Sequence, residues 1–217
     1  MNNEQKEIQT RRGFTKQQLL DDLAAAWTGC TKCPLHKCNT PSDENPSGQA
    51  FGRGNPKAKI LLVGEALGKG ESETGDVFLP NSPAGRKLMM ILKHYKLLNS
   101  VYICNPVACR STKKDKKTRK IKNIKPAPEH VDACRERFDS IVKILKPRLI
   151  VAMGAGAIAA LTGYTGTVKN AMGRVFETEK YGNVLATCHP MLYIYRAKDE
   201  ELITKSDKIW QFIEDHK

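Results

Sequence analysis

The chain has 217 residues, 40% of them hydrophobic, which suffices for one full-sized core and is too little for two generous domains. No run of about 18 apolar residues occurs, and the opening MNNEQKEIQTRRG has no apolar stretch of leader type, so a soluble, intracellular protein is expected. A formal charge of +13 points to a polyanionic partner, nucleic acid ahead of anionic lipid, because no basic amphipathic helix with a broad apolar face is present.

A single domain over 1–217 is expected, with residues 1–14 as a flexible lead-in. From Thr15, a threonine cap followed by Leu19, Leu20, Leu23, Ala24 and Trp27 on one stripe predicts a helix that stops at Gly29. Residues 39–56, rich in Pro, Gly, Ser and Asn, read as a loop. KILLVG (59–64) is an apolar strand, Ser82-Pro83 opens a helix carrying Leu88, Met89, Leu92 and Tyr95, and VYICN (101–105) is a second strand. A basic loop spans 111–126, and a helix runs from about Pro128 to Leu145. The strand LIVAMG (149–154), a helix over 156–162, short strands near 174–178 and 183–187 and a closing helix over 199–215 complete the chain.

Apolar strands alternating with helices predict a three-layer α/β/α sandwich around a central, mainly parallel, four-stranded sheet. Gly64-Glu65, Asn105, Gly154 and Cys188-His189 each follow a predicted strand. In open α/β sheets ligands bind beyond the carboxyl ends of the strands, so these residues should share one rim.

Seven cysteines in a cytosolic chain are better read as metal ligands or reduced core thiols than as disulfides. Cys30 and Cys33 form a C-x-x-C step that can grip one metal centre, and Cys109 and Cys134, with 24 residues between them, can close it only through folding. Zinc and an iron-sulphur cluster compete for that site; the second C-x-x-C knuckle usual for zinc is missing. Cys38 is an alternative ligand, and Cys104, in an apolar strand, reads as a small buried hydrophobe. Cys188 is left without a role.

The ordered set GEALGKGESETGDVFLPNSPAGRKL (64–88), YICNPVACR (102–110), Cys134, LIVAMG and CHP (188–190) resembles the uracil-DNA glycosylase superfamily, in its iron-sulphur branch, family 4. That branch carries G-E-x-P-G-x-x-E, T-G-x-P-F, Y-I-T-N-x-V-x-C and H-P-S segments in this order. The resemblance covers roughly residues 30–196. It implies a monofunctional DNA glycosylase that flips out uracil or a related altered base, hydrolyses its N-glycosidic bond and leaves an abasic site. By resemblance Glu65 and His189 are catalytic, the acid beside the sugar carbon and the imidazole donating to the departing base. Gly64, Phe78 and Asn105 bind the base, the ring by stacking and the amide by reading the pyrimidine edge. Cys30, Cys33, Cys109 and Cys134 align with the ligands of a [4Fe-4S] cluster. The expected partner is DNA, with no membrane, for a monomer that is cytoplasmic and associated with the nucleoid.

KKDKKTRKIKNIK (113–125) packs eight cations and one anion into thirteen residues. Such a run is ordinarily a solvated, mobile tether, yet Lys113, Lys114, Lys116, Lys117, Arg119 and Lys120 would each contribute to phosphate binding. Leu192 and Tyr193 are the expected apolar wedge into a DNA step, beside Arg196. A comparable basic loop occurs in the branch of the superfamily that traps its product through a loop histidine. The corresponding position here is Asn123, whose amide is no such nucleophile, so hydrolysis with turnover is expected. The G-x-G-x-x-A pattern in MGAGAIAAL (153–161) is a weak dinucleotide signal without its ribose-binding acid. A helix end facing a phosphate, or close packing, is preferred.

Leu67 replaces the family's proline, Val77 precedes Phe78 in place of another, and Met191 replaces the serine of H-P-S. These changes bear on which base is taken, since a methylene-sized difference changes discrimination by only about 1–3 kcal/mol. A glycosylase for a modified base in foreign, phage DNA is one alternative. An inactive iron-sulphur protein that only binds DNA is another, and a dinucleotide-dependent enzyme is a third.

Overall fold

A computed structural model describes residues 13–217; most of the expected flexible lead-in lies outside the described residues. Helix α1 (Lys16–Trp27) begins at a reciprocal cap, Thr15 Oγ1 accepting from the Gln18 N–H at 3.3 Å while Gln18 Oε1 accepts from the Thr15 N–H at 2.8 Å. A short 3-10 turn (Pro34–Cys38) follows, then β1 (Arg53–Gly54), β2 (Ile60–Val63), α2 (Lys69–Thr74), α3 (Pro83–His94) and β3 (Val101–Cys104). The second half adds β4 (Thr112–Lys114), β5 (Ile121–Asn123), α4 (Pro128–Leu145), β6 (Leu149–Met153), α5 (Ala155–Thr162) and α6 (Val168–Ala171). The chain closes with β7 (Val175–Thr178), β8 (Gly182–Thr187), α7 (Pro190–Tyr195) and α8 (Glu200–Asp215).

The sheet order is β1-β3-β2-β6-β8-β7. The inner four strands are parallel, with Ile60 level with both Val101 and Leu149, and Ile150 level with Val184. The expected four-stranded sheet is thus its parallel centre, extended by an antiparallel strand at each edge. The sequence hid β1 because it is two residues inside a turn-rich stretch. Gly54 (φ +114°) pairs there so closely that a Cβ would sit 2.5 Å from the Val101 carbonyl oxygen.

Because side chains alternate across a strand, each strand feeds two cores. Ile60, Leu62, Ile103, Val151 and Leu185 pack on α3 and α8, whereas Leu61, Val63, Cys104, Ile150 and Ala186 pack on α4 and α5. Both faces are covered, which makes the three-layer sandwich and explains why these strands read as continuous apolar runs.

The basic segment is a hairpin rather than a loose tether, β4 pairing with β5 through Lys113 opposite Lys122. Its one anion organises the turn: Asp115 Oδ1 accepts from the N–H groups of Lys117 and Thr118 at 3.0 and 2.9 Å, and its Oδ2 pairs with Lys122 Nζ at 2.7 Å.

Candidate active site

The carboxyl ends of the four parallel strands open onto a cavity of about 550 Å³, lined among others by Glu65, Phe78, Asn123, Lys125, His189 and Met191. Gly64 directly follows β2, and a Cβ there would stand 2.3 Å from Asn105 Oδ1 and 2.6 Å from the Phe78 ring, so only glycine admits both neighbours. Asn105 is 2% exposed, and neither its Nδ2 nor its Oδ1 meets a hydrogen-bond partner among the described residues. A buried amide of this kind costs free energy unless something else completes it.

Phe78 is held in an unusual backbone conformation, φ +47°, by the carboxylate of Glu71, which accepts its N–H and, at 2.5 Å, that of Gly68. Strain of this sort persists only where neighbours over-determine it. The ring lies 5.7 Å from the imidazole of His189, tilted by 33°.

His189 caps α7, its Nδ1 accepting from the Met191 N–H at 3.3 Å. Burial pushes its pKa down to about 4, so the ring is neutral and, with Nδ1 accepting, its proton sits on Nε2 as a donor. Glu65 is half-buried. Desolvation raises its carboxyl pKa, and the charge of Lys125 opposes the rise. The two glycines of the G-x-G-x-x-A pattern seat these side chains: a Cβ at Gly156 would overlap the Glu65 carboxyl, and one at Gly154 would stand 3.0 Å from His189 Cβ. Close packing alone is sufficient reason for both glycines.

Acid, neutral imidazole, aromatic ring and unpaired amide thus converge on one rim, in the chain order of the family motifs. A family model described as the uracil DNA glycosylase superfamily matches residues 51–216. The chain belongs to the uracil-DNA glycosylase superfamily. It is 31% identical to the type-4 uracil-DNA glycosylase of Archaeoglobus fulgidus over 84% of this chain and 86% of that one. Identity is 30% to the type-4 enzyme of Thermotoga maritima, over 87% of this chain and 90% of that one. It is 33% to that of Pyrobaculum aerophilum, over 74% and 68% respectively.

Within this superfamily frame, one expectation about the rim needs correcting. Leu192 and Tyr193 do not project as a wedge: both pack against the core, and Tyr193 Oη accepts from Trp210 Nε1 at 2.8 Å. On the helical turn of α7 it is Met191 and the 76%-exposed Tyr195 that face the cavity. Arg196, expected on DNA, is paired with Asp199 at 2.7 Å but stays exposed. Lys113, Lys114, Lys116, Lys117, Arg119 and Lys120 are all exposed on the hairpin. Asn123, at its return, accepts from Arg110 Nε at 2.9 Å.

Cys30, Cys33, Cys38, Cys109 and Cys134 gather beside Ala66, whereas Cys104 and Cys188 are buried in the two cores flanking the sheet. Cys109 and Cys134 are buried with Leu35 and Val107, and Cys33 and Cys38 pack against them. Cys33 lies within electrostatic reach of Cys30, Cys38 and Cys134, and Cys109 of Cys33 and Cys134. Cys109 Sγ is approached by the amide groups of Asn39 and Gln49 at 3.6 and 3.7 Å, and Cys30 Sγ by the Lys32 N–H at 3.5 Å. Soft sulphur donors ringed by N–H groups suit a thiolate-bound metal cluster. Among the described residues, however, no group of three or more His, Cys, Asp or Glu side chains is arranged to hold a metal ion. Burial pushes the Cys109 thiol up to about 11, so a metal would have to displace its proton.

Three contributors lacked a legible role in the sequence. Glu71 is the closing acid of the first motif, but its clamp on Phe78 depends on a turn. Gly156 looked like part of a nucleotide fingerprint. Arg137, fully buried in α4, donates through Nη2 to the carbonyls of Asn105 and Pro106 at 2.6 and 2.9 Å; a lone helical arginine carries no signal of that.

Proposed function

We propose that this chain is a monofunctional DNA glycosylase that extrudes uracil from DNA, hydrolyses the N-glycosidic bond and leaves an abasic site. The observation that carries this reading is the unpaired, buried Asn105 amide, packed with Phe78 against Gly64. It can donate to O4 and accept from N3–H of a uracil stacked on the ring. As the bond from C1′ to N1 breaks, the sugar gains oxocarbenium character and the bonding pair leaves with the base. Glu65 faces that positive charge and orients the water that adds to C1′, while His189 Nε2–H donates to the base oxygen that gains the negative charge. Asn123 supplies no nucleophile, so no product is trapped.

The exposed cations of the hairpin bind backbone phosphates, joined by Arg196, and Met191 with Tyr195 take over the wedge role expected of Leu192 and Tyr193. Cys30, Cys33, Cys109 and Cys134 would hold a [4Fe-4S] cluster, which when bound supplies a rigid cross-link between the N-terminal segment, the exit of β3 and α4. The protein acts as a monomer on DNA in the cytoplasm, at the nucleoid.

The experiment is a panel of duplexes each carrying one altered base, treated with enzyme and then alkali. Strand breaks at uracil from the parent, lowered about 10²–10⁴-fold in Glu65→Gln, support the reading. Breaks at no base would leave a DNA-binding protein, and breaks only at a larger modified pyrimidine would reassign the substrate. Absorbance near about 400 nm, lost on iron chelation, tests the cluster.

A further inference from the structure

Glu65 is bounded by two cavities. Beyond it from the base-binding cavity lies a second one, of about 340 Å³, between Pro106, Pro126, Val131 and Gly156. Glu65 and Lys125 line both. Lys125 leaves the hairpin's return one residue before Pro126, whose ring fixes the local backbone and hence the origin of the lysine stem. Among the described residues it makes no hydrogen bond or ion pair; its interaction is the attraction to Glu65.

The other charged groups around these cavities are committed elsewhere. On α4, Arg135 and Asp132 pair with each other at 2.7 Å. On α2, Lys69 pairs with Glu73 at 3.4 Å, and Glu71 is occupied by backbone N–H groups. His189, after β8, is neutral, and α5 presents only the small residues Gly156, Ala159 and Ala160.

We infer that Lys125 is a positioning residue for base excision: its side chain, which lines both cavities together with Glu65, keeps the Glu65 carboxylate charged and turned toward the sugar. The inference rests on the reading of Glu65 given above. A half-buried carboxyl drifts toward its neutral form, which can neither orient water nor face a cationic sugar, and a nearby cation reverses that drift. Losing the cation moves protonation of Glu65 to higher pH, so activity is lost earlier as pH falls.

The test is the single-turnover rate on a uracil duplex, with enzyme in saturating excess so that weakened DNA binding does not enter, measured from about pH 5 to 9. In Lys125→Met the acid limb moves to higher pH than in the parent, about threefold or more of the plateau-normalised rate being lost on the acid side. Lys125→Arg restores the limb, which a mere loss of packing would not predict. Superimposable limbs for parent and Lys125→Met overturn the inference, even if affinity falls and its salt dependence flattens. Undiminished excision by Glu65→Gln would instead overturn the reading beneath it, and the two failures are told apart by that variant.

Discussion

Gly156 carries the carboxyl of Glu65 against its bare Cα: a Cβ built at residue 156 would lie 1.8 Å from Glu65 Oε1. Alanine favours a helix over glycine by about 1 kcal/mol, and the end of a glutamate chain can swing aside. Gly156→Ala should therefore leave Tm unchanged or raise it, while excision falls by about 10²-fold, as a 1 Å misplacement allows. Calorimetry beside the alkali-cleavage assay checks both; a stable variant with parental activity would show that the acid need not lie there.

The Asn105 amide is buried without partners, so its removal should behave unlike that of an ordinary polar core residue. Asn105→Ala is expected to keep or gain stability, by up to about 1–3 kcal/mol, because the desolvation penalty disappears. Base recognition should fall sharply in the same variant. Urea unfolding and excision rates decide it, and a large stability loss would mean that the amide serves the fold.

The clamp from Glu71 to Gly68 and Phe78 predicts that Glu71→Gln loses about 1–3 kcal/mol, since one of its two acceptor oxygens becomes a donor facing an N–H. Weaker binding of the base should accompany it, because stacking on Phe78 is worth about 1–3 kcal/mol. Phe78→Leu, which keeps the clamp, should show the second effect without the first.

For His189, pKa about 4 in the fold against 6.5 ordinarily, the unfolded chain binds the extra proton between those values. Stability then rises with pH across that window and is lost as pH falls through it. His189→Gln should flatten this slope in unfolding measured from pH about 4 to 7. The acid limb of excision should persist in that variant, because it belongs to Glu65. A limb that vanishes would transfer the titration to the imidazole.

Exposed hairpin cations should act additively and without base preference. Each of Lys113, Lys117 and Arg119 that contacts a phosphate adds about 0.9 to the slope of log affinity against log salt. Replacing all three by glutamine should lower the slope by up to about three times that value while leaving the order of preferred bases unchanged. An unchanged slope would place the hairpin off the DNA.

By itself the sequence determined the layers and the rim. Strands such as Ile60–Val63 and Leu149–Met153 are apolar at every position because both faces are covered, and chain order alone puts Glu65, Asn105 and His189 after parallel strands. Tertiary structure decided what those residues touch. Two-residue β1 exists only because β3 offers an open edge, and the basic run becomes a hairpin because one aspartate gathers its turn. Leu192 and Tyr193 turn inward because α7 packs on α3 and Tyr193 reaches Trp210 of α8. Gly156, Arg137, Glu71 and Lys125 meet neighbours between 3 and 91 residues away in the chain. A periodic pattern reports which face of an element is buried, but not which distant side chain occupies the space in front of it.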